Sequence, residues 1–131
     1  MTFELRTMEL LKERARKFLK EAEDDLAKEF FDLSAFHSEQ ALQLRFKSFL
    51  LYKIGYFSRT HSLITLVEEV SKVSPELASF LLQSKEKLEE LQLAYMGGRY
   101  LPISYSREKA EALLEFVKSA FEEVEKVERS A

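Results

Sequence analysis

Between residues 5 and 31, Leu11, Ala15, Phe18, Leu19, Ala22, Leu26 and Phe30 recur at steps of three and four, with Lys12, Arg16, Lys20, Glu21, Asp24 and Lys28 between them. That period predicts an amphipathic helix with one wet face. Asp32 and Ser34 supply turn and cap chemistry, so a second helix is expected from Ala35 to Ile54, closed by Gly55. Its apolar residues, Phe36, Ala41, Leu42, Leu44, Phe46, Phe49, Leu50, Leu51, Tyr52 and Ile54, occupy more than one stripe. Burial on two faces follows, one against the bundle and one available to another subunit.

Residues 55–60 read as a connection, and HSLITLVEEVSKV as a short helix ending before Ser74-Pro75, a cap followed by a favoured first helical residue. From Pro75 to Met96 the spacing of Leu77, Leu81, Leu88, Leu91 and Tyr95 predicts one continuous helix stopping at Gly97-Gly98. Pro102 makes the following stretch irregular. Ser106 caps a last helix marked by Ala110, Leu113, Leu114, Val117, Phe121 and Val124. Four long helices and one short one on short connections predict an all-α, up-and-down antiparallel bundle. No repeat or boundary divides residues 1–131, so one domain is expected.

Composition narrows the chemistry. The 131 residues contain no cysteine, which removes disulfides, thiolate nucleophiles and Cys-based zinc sites and favours a cytoplasmic setting. No apolar run approaches ~18 residues, so no membrane association is expected. The formal charge is only −3, but it is unevenly spread. From Gln40 to Val67 there is no acid, while Arg45, Lys47, Lys53 and Arg59 lie among Phe46, Phe49, Tyr52, Tyr56 and Phe57. Such a segment either binds phosphate and stacks on bases or is core whose charges are neutralised by the acidic last helix; the second reading is favoured, because aromatics at helical spacing usually pack.

His37 and His61 are the two histidines, and neither belongs to an HExxH or Glu-x-x-His pattern. Both read most simply as helix-start residues. Glu21, Asp25 and Glu29 share one helix face by their four-residue spacing and could hold a hard cation, yet Lys20 and Lys28 beside them favour a solvated, salt-bridged face. No phosphate-loop, dinucleotide or nucleophile-elbow motif is present. Neither a metal nor a cofactor is expected.

The ordered set ARKFLKEAEDDLAKE (15–29), FHSEQALQLRFKSFLLYKIG (36–55), RTHSLITLVEEV (59–70), YMGGRYLP (95–102) and SREKAEALLEFVKSAFEEV (106–124) resembles the HEPN domain family, named for higher eukaryotes and prokaryotes nucleotide binding. The resemblance implies a bundle of about five helices that usually dimerises. It also implies that many members pair with a minimal nucleotidyltransferase in toxin-antitoxin-like systems, that some are metal-independent ribonucleases, and that others bind nucleotides without cutting. The ribonuclease pattern is an Arg, four to six residues, then a His. The positions it requires are Tyr56, Gly55 and Ile54 for His61, and Asp32, Phe31 and Phe30 for His37. None is arginine. A tyrosine two residues after the histidine is also missing, since Leu63 and Glu39 stand there.

No catalytic residue is therefore assigned, and a non-catalytic homodimer is expected. It would bind a minimal nucleotidyltransferase and a nucleotide or RNA phosphate, using Arg45, Lys53, Arg59, His61, Arg99 and Tyr100. The planar donors of arginine suit phosphate oxygens. The competing expectation is a divergent ribonuclease that uses His61 with an arginine supplied across the dimer.

Overall fold

The computed structural model describes residues 2–97 and 103–130. The described residues form six helices in order: α1 (Phe3–Ala27), α2 (Phe31–Ile54), α3 (Leu63–Val73), α4 (Pro75–Leu82), α5 (Lys85–Gly97) and α6 (Arg107–Arg129). There is no strand among the described residues. The all-α bundle expected from the apolar spacing is present. No helix of the described residues is long and apolar enough to cross a membrane.

α2 is the axis of the bundle, packed against α1, α3, α5 and α6. Phe46, Phe49, Leu42 and Leu50 are fully buried on it, each side chain contributing about 1.5–3 kcal/mol by burial. Most apolar positions of α2 are thus covered by helices of the same chain, while Leu33 near its start and Tyr52 and Ile54 near its end stay exposed. Period shows that a face is apolar, and only the packing shows what lies on it.

Most helix ends form as their residues dictate. Ser62, Ser74 and Ser106 accept from the backbone N–H groups of Thr65, Leu77 and Lys109 at 3.2, 3.2 and 3.1 Å, and Pro75 opens α4. Gly55 closes α2 with φ +80°. Two boundaries differ from the sequence reading. α1 stops at Ala27 and α2 begins at Phe31, so Asp32 and Ser34 lie inside the first turn of α2 instead of capping it. The break is made by a Schellman turn: Glu29 N–H donates to Leu26 C=O at 3.0 Å and Phe30 N–H to Asp25 C=O at 2.8 Å. Glu29 occupies the left-handed position, φ +64°, that glycine usually fills. Ser34 instead donates from Oγ to Ala22 C=O at 2.8 Å, tying α2 to α1.

The helix expected over Pro75–Met96 is two helices, broken at Gln83-Ser84. Ser84 N–H bonds to Leu81 C=O at 3.0 Å, and Leu88 N–H to Ser84 C=O at 3.1 Å, which ends one helix and starts the next. Leu81 and Leu88 are both buried on either side of the break, so their seven-residue spacing conceals it. The bend lets α4 lie on α3 and α6 while α5 crosses onto α2.

Candidate functional site

The segment entering α3 is held from two sides by glutamines. Gln43 on α2 donates from Nε2 to the backbone carbonyl of His61 at 3.0 Å and to Glu39 Oε2 at 2.6 Å. Gln92 on α5 accepts through Oε1 from Ser62 Oγ at 2.9 Å and from Ile64 N–H at 2.8 Å. Within the loop, Thr60 N–H donates to Ser58 Oγ at 3.1 Å and Ser62 N–H to Thr60 Oγ1 at 3.0 Å. These local turns use the short hydroxyl side chains that the sequence places there. His61 is exposed, and its ring stacks on Tyr95 with centroids 6.0 Å apart and planes 9° apart. Tyr95 stacks in turn on Phe36 at 6.1 Å. An imidazole face is thereby fixed on a short aromatic row beside the last turn of α5.

Below this loop runs a buried polar row on α2: Glu39, Gln43 and Lys47, one helical turn apart. Burial pushes the Glu39 carboxyl up to about 7, against the opposing hydrogen bonds from Gln43 and Gln40 and the charge of Lys47. Burial also lowers Lys47, opposed by the charges of Glu39 and Glu69. The ammonium of Lys47 lies 6.0 Å from the Phe57 ring centroid, under the same loop. Glu69 Oε1 is buried with no hydrogen-bond partner among the described residues. Glu39, Gln43 and Gln92 were not singled out in the sequence; the signal available was a Glu-x-x-x-Gln-x-x-x-Lys register along one side of α2.

Among the described residues, the candidate phosphate ligands differ in exposure. Arg45 is fully buried and forks onto Glu128 of α6, Nη2 to Oε1 at 2.5 Å and Nη1 to Oε2 at 3.1 Å, with Nη1 also donating to Ser48 Oγ at 2.9 Å. Its donors are occupied within the bundle. Lys53 is exposed near the end of α2. Arg59 is exposed and lines a cleft of about 440 Å³ with Tyr56, Phe57 and Phe3. His61 stands two residues further along. Arg99 and Tyr100 lie outside the described residues.

His37 is engaged elsewhere: its Nδ1 lies 2.6 Å from Asp25 Oδ2, and its ring sits between Phe18, stacked at 5.8 Å, and Phe36, edge-on at 5.4 Å. Neither histidine follows an arginine at the ribonuclease spacing. A family model described as the HEPN domain matches residues 8–127. The chain belongs to the HEPN domain family. The match takes in all of α2–α5 and nearly all of α1 and α6, so the pinned α2–α3 loop and the buried row beneath it are parts of this HEPN domain. No curated protein and no solved structure gives a significant match.

Proposed function

We propose that this HEPN protein is a non-catalytic, phosphate-recognising homodimer that docks a minimal nucleotidyltransferase and engages nucleotide or RNA phosphate at the α2–α3 loop. The observation that carries the reading is the exposed His61 ring, held on Tyr95 by a loop fixed through Gln43 and Gln92, with exposed Arg59 two residues away. A fixed aromatic face offers stacking to a base, and a free guanidinium offers paired donors to phosphate. The absence of an arginine at the required spacing before either histidine supports binding without cleavage. The apolar cleft that Arg59 shares with Phe3 and Tyr56, both exposed, supports contact with another chain at this end.

Titration of the purified protein with ATP, AMP and a short single-stranded RNA tests the loop directly. Binding is expected to weaken about tenfold in Arg59→Ala, the equivalent of ~1.4 kcal/mol, and to fall with added salt. Equal affinity of wild type and Arg59→Ala for every ligand removes the loop as the site. Cleavage of the RNA that disappears in His61→Ala replaces the binding reading with a ribonuclease one. Light scattering on the same sample reports the dimer, and co-purification with a co-expressed minimal nucleotidyltransferase reports the partner; a monomer that captures none overturns those two parts.

A further inference from the structure

Two carboxylates of α1 have a partner that their four-residue spacing does not disclose, and one of them, Asp25, is buried and not on a solvated face. Glu21 and Asp25, one turn apart, meet His37 of α2, and one donor atom from each lies within 4.8 Å of the others. We propose that Glu21, Asp25 and His37 form a binding site for a divalent transition-metal ion of the zinc class. This inference does not rest on the proposed function, because it uses a different histidine and a different pair of helices.

The three residues are held before any ion arrives. Asp25 is buried, and Phe30 N–H anchors its backbone carbonyl in the Schellman turn. His37 is wedged between Phe18 and Phe36. Ser34 Oγ, one turn before His37, fixes the two helices in register through Ala22 C=O. Ligands set on two packed helices in this way keep their backbones in place, and only the 2.6 Å His37–Asp25 contact has to open by side-chain movement to admit an ion. Glu21, by contrast, is exposed and closes the site from the solvent side.

The donor set decides the metal. One imidazole and two carboxylates suit zinc and its neighbours, whereas calcium takes six to eight oxygens and magnesium keeps most of its waters. An ion bound through Nδ1 takes the place of the proton in the His37–Asp25 contact, so that nitrogen gives up its hydrogen. Three protein ligands leave a fourth position open. It faces a cleft of about 460 Å³ lined by Arg14, Lys17, Phe18, Glu21 and His37. Two carboxylates cancel the charge of the ion; Lys17 is paired with Glu13 at 3.2 Å, so the Arg14 cation is the one that favours an anion or hydroxide over a neutral fourth ligand.

Calorimetric titration of the chelator-stripped full chain with zinc chloride, and separately with magnesium chloride, tests the site. One zinc ion per chain is expected, with magnesium at least a hundredfold weaker. Glu21→Gln, an exposed change that leaves the packing intact, is expected to weaken zinc at least tenfold, and His37→Ala more. His61→Ala is expected to bind zinc as the unaltered chain does. Zinc is also expected to raise the melting temperature of the unaltered chain and not of Glu21→Gln. No saturable zinc binding overturns the proposal. So does zinc affinity unchanged in Glu21→Gln, or magnesium binding as tight as zinc, since either assigns the ion to general surface acidity.

Discussion

A carboxyl that keeps its proton near neutrality has a consequence that a single substitution reads. Glu39 is fully buried and is held at about 7 against an ordinary 4.5. Between those two values the native chain binds more protons than the unfolded one, so stability falls as pH rises through the window and the whole cost is present above about 7. At ~1.36 kcal/mol per pK unit, that cost is about 3 kcal/mol. Glu39→Gln copies the neutral form. Urea denaturation should show the variant nearly equal to the original at pH 4.5 and more stable by up to about 3 kcal/mol at pH 8; an equal gap at both pH values contradicts this account. The same row shows where sequence reading stops. The run of basic and aromatic residues from Gln40 to Val67 was visible, but charge counts along a chain do not say which charges reach water. Phe46 and Phe49 became core as their spacing favours, while Arg45 and Lys47 were buried with them.

At the scale of elements, the two junctions with the least obvious sequence signals carry the clearest tests. Glu29 adopts a backbone conformation that costs an L-residue roughly 1–2 kcal/mol, and its ion pair with Arg107, 2.6 Å long but exposed, returns at most about 1 kcal/mol. Glu29→Gly should therefore leave stability unchanged or raise it by up to about 1 kcal/mol, and the β-branched Glu29→Val should lower it by more than 1 kcal/mol. Thermal melts of the pair check the order. Between α2 and α6, the Arg45–Glu128 fork is a buried ion pair with one side near solvent, where Lys12 approaches Glu128 at 3.6 Å. Glu128→Ala strands the Arg45 guanidinium and should cost about 3 kcal/mol. Arg45→Met combined with Glu128→Leu should recover most of that loss, and a double variant no better than the single one counts against desolvation as the cause. The caps at Ser74 and Ser106 were legible because capping is settled by neighbours three residues apart. The break at Gln83-Ser84 was not, because its reason lies in α3, α6 and α2, which claim the two halves separately.

For the whole molecule, a central α2 wrapped by four other helices predicts an ordered hierarchy of opening. Native-state hydrogen exchange should find the slowest amides in residues 42–50 of α2. Those of α4, with its exposed Leu82, should exchange faster. Equal protection in the two helices would refute the hierarchy. Helix periodicity, serine caps and the ordered resemblance along the chain were enough to specify an all-α bundle of the HEPN family, because each is written in spacings of seven residues or fewer or in the order of such segments. The spacing also exposed the lack of an arginine at the ribonuclease distance from either histidine. Tertiary structure alone decided that most of α2 is covered from within, that Arg45 faces Glu128, and that His61 rests on Tyr95. It alone brought His37 to Glu21 and Asp25, twelve or more residues away along the chain. Contacts of that kind depend on how whole helices cross, and a crossing is fixed by the summed packing of many side chains, which no local spacing encodes.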